Sequence, residues 1–81
     1  MKYVRMTLPD NPRFLIIIQI DIKHQCSRWI WGHIIQDGQH PQSKWSTETE
    51  ENIVENTIKW WRAAGYLTEE IPKEQALIYL I

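Results

Sequence analysis

The chain has 81 residues, nine Lys/Arg against ten Asp/Glu, and a formal net charge of −1. That length holds one core and one domain, and the near-zero charge supplies no global positive field of the kind behind sequence-independent nucleic-acid binding. A single cysteine excludes an intrachain disulfide framework and fits a reducing compartment. The longest uncharged apolar run, Phe14 to Ile18, is too short to span a bilayer, and the first residues lack the apolar region of a secretory signal. These features predict a cytoplasmic protein without membrane association.

Five tryptophans against three glycines point to a small core or a contact surface built from large aromatic groups. Charge is divided along the chain. Residues 1–40 carry five Lys/Arg and three Asp, and residues 41–81 carry four Lys/Arg and seven Glu. A surface of both signs suits protein contacts better than DNA.

Tyr3 to Leu8 alternates Val4, Met6 and Leu8 with Tyr3, Arg5 and Thr7, the period of a strand. It stops at Pro9-Asp10-Asn11-Pro12, where two prolines remove ladder donors. Arg13 to His24 is the strongest strand signal. Phe14, Ile16, Ile18, Ile20 and Ile22 share one face, and Leu15, Ile17, Gln19 and Asp21 the other. Arg28 to Gln36 reads as the next strand, joined to the previous one as an antiparallel hairpin. The expected register sets Ile22 opposite Trp29, Ile20 opposite Trp31 and Ile18 opposite His33, with both tryptophans in the core.

Residues 37–44 read as a polar loop. Thr47 and Glu50 then form a capping box, Gly65 fits the C′ position, and Val54, Thr57, Ile58, Trp61 and Ala64 make an apolar stripe. This predicts a helix over residues 48–64. Tyr66 to Lys73 reads as a connector. Gln75 to Ile81 is apolar on both faces and reads as a strand, with a helix starting near Pro72 as the competing assignment. The resulting fold class is α+β: a small antiparallel sheet in β-β-β-α-β order, with one amphipathic helix on one face.

Two sharp chemical readings are weak. His24, Cys26, His33 and His40 are metal-ligand types within 17 residues, but His24 and His33 lie about 20 Å apart in the expected register, too far for one tetrahedron. Cys26 with His24 as base lacks an orienting group and an oxyanion hole. No phosphate-loop, dinucleotide, zincin or nucleophile-elbow motif is present. The sequence therefore predicts no catalytic residues and no cofactor.

One helix covers one sheet face, so Leu15, Ile17, Ile30 and Ile34 are expected to form an uncovered apolar patch, the mark of an interface. Trp60 diverges by about 100° from core-facing Trp61 and reads as a contact anchor at the helix flank. The leading expectation is a non-catalytic protein–protein interaction module whose partner is another protein or a second copy in a homodimer. The alternative is a single-stranded nucleic-acid-binding module in which Lys23 and Arg28 interleave with Trp29 and Trp31.

Overall fold

The structure is a computed structural model in which residues 1–32 and 43–79 are described. Its elements run β1 (Lys2–Leu8), β2 (Asn11–Asp21), β3 (Cys26–Gly32), α1 (Ile53–Ala63), β4 (Leu67–Ile71) and α2 (Lys73–Ile78). The four strands form an antiparallel sheet in the order β3-β2-β1-β4. This is an α+β fold whose elements run β-β-β-α-β-α, one helix more than the expected β-β-β-α-β. The fourth strand, however, is the segment read as a connector, and the segment read as a strand is a helix.

Both corrections have local causes. Leu67, Glu69 and Ile71 alternate with Thr68 and Glu70, and all five pair with β1 from Thr7 to Tyr3. Pro72 ends the strand and caps the next helix, its carbonyl accepting from the amides of Gln75 and Ala76. A proline fixed near φ −70° cannot continue a ladder but suits a helix start.

The β2–β3 register is also corrected. Ile18 faces Trp29 and Asp21 faces Cys26, so four residues, Ile22 to Gln25, make the loop. The turn is fixed by Asp21, whose carboxylate accepts from the His24 amide at 3.1 Å and contacts His24 Nδ1 at 2.7 Å. Gln25 closes the loop with φ 53°. Ile22, expected in the core, is exposed at the tip. Beyond Trp29 a bulge shifts the pairing, so that Ile17 meets Trp31 and Ile30 is the extra residue. A bulge sets two residues against one and reverses the facing of the residues beyond it. Trp31 therefore leaves the face that holds Trp29. His33, Ile34 and His40 lie outside the described residues.

Helix α1 begins at Ile53, not at residue 48, and Thr47 is not its cap. The reason is that residues 43–50 are committed to β3. Ser43 N–H donates to the Trp29 carbonyl at 2.9 Å and Ser46 N–H to the Ser27 carbonyl at 2.8 Å. In return the Ser43 hydroxyl accepts from Trp29 N–H at 2.6 Å and the Ser46 hydroxyl from Ser27 N–H at 3.1 Å. Glu50 N–H reaches the Gln25 carbonyl at 3.0 Å. The segment is a strap along the outer edge of β3, satisfying ladder groups that would otherwise be bare.

The helix ends as its sequence predicts. Gly65, at φ 97°, donates to the Arg62 carbonyl, and Tyr66 N–H reaches back to the Trp61 carbonyl, both at 3.0 Å. This is a Schellman closure, and the Tyr66 and Trp61 rings pack 4.7 Å apart as its apolar contact.

Each sheet face is covered. On one, Val4, Met6, Ile16, Ile18 and Ile20 are buried with Ile53, beneath half-buried Val54, Ile58 and Trp61 of α1. On the other, Tyr3, Ile17, Ile30 and Ile71 are buried with Ala76 of α2, flanked by Leu15, Trp31 and Tyr79.

Candidate functional site

The sheet face opposite α1 is core, which corrects the expectation of an uncovered patch. Ile17 is 0% and Ile30 4% exposed, because Ala76 of α2 and Tyr79 at its C-terminal cap pack over them. Leu15 sits at the margin of this cluster, so the structure does bring Leu15, Ile17 and Ile30 together. Arg5 pins the helix in place, donating to the Tyr79 hydroxyl at 3.1 Å and pairing with Glu69 on β4. The Tyr79 bond and the Glu69 carboxylate hold the Arg5 pKa above its ordinary value. Alongside runs a polar row in register across three strands: Arg28 Nε donates to Gln19 Oε1 at 2.9 Å and Gln19 Nε2 to the Tyr3 hydroxyl at 3.3 Å.

The four residues of a nucleic-acid platform do not gather. Trp29 packs its ring 6.3 Å from Trp61 on the α1 side. Trp31 packs 5.4 Å from Tyr79 on the α2 side. The Arg28 guanidinium lies 4.7 Å over the ring of Trp45 from the strap, and Lys23 is at the exposed hairpin tip. A run of stacking bases needs successive aromatic faces in one groove, and the bulge divides these between two.

Nor do His24 and Cys26 share a metal geometry with other described residues. The His24 ring is engaged by Asp21, and Cys26 is a half-buried free thiol in the ladder opposite Asp21. Among the described residues, no three His, Cys, Asp or Glu side chains converge. Asp21 itself is held below the usual aspartate range, chiefly by the hydrogen bond with the His24 ring and next by the His24 amide.

One concave feature lies between α1, β3 and the strap, a groove of about 490 Å³. Ile18 and Trp29 line it from the sheet, while Thr57, Trp60 and Trp61 line it from the helix. Glu50 on the strap and Lys59 on α1 bring one charge of each sign to it. Trp61 is the hub of its aromatic contacts, lying within 4.7–6.3 Å of Trp29, Trp60 and Tyr66. Trp60 stands edge-on to it at 5.0 Å and is 64% exposed. The i,i+1 spacing that separates the two indoles was legible in the sequence. The groove was not, because it depends on the strap. An unbroken helix from residue 48 would have taken Glu50 away from the Gln25 carbonyl and from the wall of the groove.

No family model, curated protein or solved structure matches this chain. Among the described residues no helix is long and apolar enough to cross a membrane.

Proposed function

We propose that the protein is a non-catalytic protein-interaction module whose contact site is the groove between α1 and β3, with Trp60 as its anchor. The observation that carries this reading is a tryptophan left 64% exposed beside an apolar hollow of about 490 Å³. Trp is among the residues that dominate binding energy at interfaces, and it does so next to pockets that exclude water. Half-buried Trp29 and Trp61 supply an apolar floor for one or two side chains of a partner, and Glu50 and Lys59 supply charges at which orientation is set. The surface is thus displaced from the Leu15/Ile17/Ile30 face to the opposite side of the sheet. The class of function expected from the sequence is retained.

The test is a comparison of wild type with Trp60→Ala, by sedimentation for self-association and by affinity capture followed by titration of any protein retained. The variant is expected to keep its circular dichroism spectrum and thermal midpoint, and to lose affinity by about 30-fold or more, the hot-spot range. Equal affinity of the two proteins for the same partner would refute the assignment of Trp60.

A further inference from the structure

The two edges of the sheet are treated differently. At β3 the outward main-chain groups of Ser27 and Trp29 are bonded by Ser43 and Ser46 of the strap. At β4 no described element pairs on the outer side. The alternation of an antiparallel ladder decides which groups point outward there. Because Ser27 and Trp29 face away from β2, Arg28 bonds toward Gln19. Ile18 and Ile20 then bond toward Val4 and Lys2, leaving Tyr3, Arg5 and Thr7 to bond toward β4. Their partners are Ile71, Glu69 and Leu67. Thr68 and Glu70 are left with N–H and C=O directed at the open edge.

The side chains along that edge carry a pattern. Leu67, Glu69 and Ile71 lie toward α2, where Leu67 is 58% exposed and Glu69 is already engaged by Arg5. Toward α1 lie Thr68, whose hydroxyl accepts from Arg62 Nε at 2.8 Å, and exposed Glu70, whose carboxylate makes the acidic end of that face. A second copy of β4 is a poor occupant. Antiparallel pairing centred on Glu69 or Glu70 sets carboxylate against carboxylate, which is destabilising at directly opposed positions.

We infer that the open edge of β4 is a strand-addition site for an extended segment bearing Lys or Arg on one face and apolar side chains on the other. The main chain of the segment bonds the outward groups of Thr68 and Glu70. Its cations lie beside Glu70, and its apolar residues extend the surface of Leu67. Main-chain bonds of this kind give affinity, and alternate side chains give selectivity. Pro72 ends the edge and fixes how far the added strand can run.

The experiment uses the full chain, labelled with ¹⁵N, titrated with an eight-residue peptide alternating valine and lysine. A control peptide alternates valine and glutamate. The Val/Lys peptide is expected to shift and protect the Thr68 and Glu70 amides and to bind roughly five- to tenfold more tightly than the control. Glu70→Lys should invert that preference. Glu70→Pro removes an outward donor together with the carboxylate, keeps the bonds between β4 and β1, and should abolish binding with the circular dichroism spectrum unchanged. Absence of shifts at Thr68 and Glu70, shifts centred on Trp60, or equal affinity for both peptides would overturn the inference. A Trp60→Ala variant that still binds the Val/Lys peptide separates this edge from the groove.

Discussion

Trp29 and Trp31, two residues apart on one strand, face opposite sides of the sheet. An unbroken strand would place them together. The bulge at Ile30 sends Trp29 toward Trp61 under α1 and Trp31 toward Tyr79 under α2. One strand thereby contributes an aromatic anchor to each layer, and each helix docks against its own indole.

The two anchors should act independently. Each is half-buried, so Trp29→Ala and Trp31→Ala should each cost about 2–4 kcal/mol, somewhat less than full core truncation. With no shared cluster, the double variant should equal the sum within about 0.5 kcal/mol. Urea denaturation of the four proteins checks this. Strong non-additivity would mean the tryptophans share one core.

The strap makes a prediction opposite to that of a capping box. Ser43→Ala removes the acceptor for Trp29 N–H and should cost about 1–2 kcal/mol. Thr47→Ala should stay within about 0.5 kcal/mol of wild type, since Thr47 neither caps α1 nor bonds β3. A costly Thr47→Ala with a silent Ser43→Ala would place the helix start where the sequence alone put it.

Ile17 is sandwiched between layers, so charge there is not a surface change. Ile17→Lys should prevent folding outright, because an unpaired ammonium would be buried beneath α2. Tyr79→Phe, which keeps the ring on Trp31 and loses only the bond from Arg5, should cost about 0.5–1.5 kcal/mol. A folded Ile17→Lys protein would show that α2 does not cover the face.

The hairpin turn carries an acid-dependent contribution. Asp21 titrates below its unfolded value, which is about 3.9. Its contribution to stability is therefore complete above that value and is lost as pH falls through the depressed folded value. Asp21→Asn should lower the thermal midpoint at neutral pH, with the two melting profiles converging in strong acid. Parallel profiles throughout would remove the carboxylate from the turn.

Where the sequence was readable, a local rule and the tertiary fold agreed. The two faces of β2, the Pro9–Asp10 turn, the closure at Gly65 and the apolar stripe of α1 all arise from spacing and residue type. Where it misled, a distant partner decided. Thr47 and Glu50 satisfy a capping pattern, yet Ser43 and Ser46 find better use for their polar groups on Trp29 and Ser27. Leu67 to Ile71 is too short and too charged to announce a strand, and becomes one because β1 offers it a ladder. The α1–β3 groove was invisible for the same reason, since one of its walls is set by the strap.

The position of β1 sets the order in which the chain can complete its sheet. It is made directly before one neighbour, β2, yet its other neighbour, β4, comes after β3 by 39 residues, from Gly32 to Ile71. At a synthesis rate of about 5–20 residues per second, that interval lasts roughly 2–8 s. Through it, a nascent meander of β1, β2 and β3 holds the inner edge of β1 bare, with Tyr3 and Ile17 not yet roofed by α2. The strap at the other edge can close sooner, because residues 43–50 emerge well before β4. Newly made chains are thus exposed to pairing with one another along β1 until β4 arrives to take that edge.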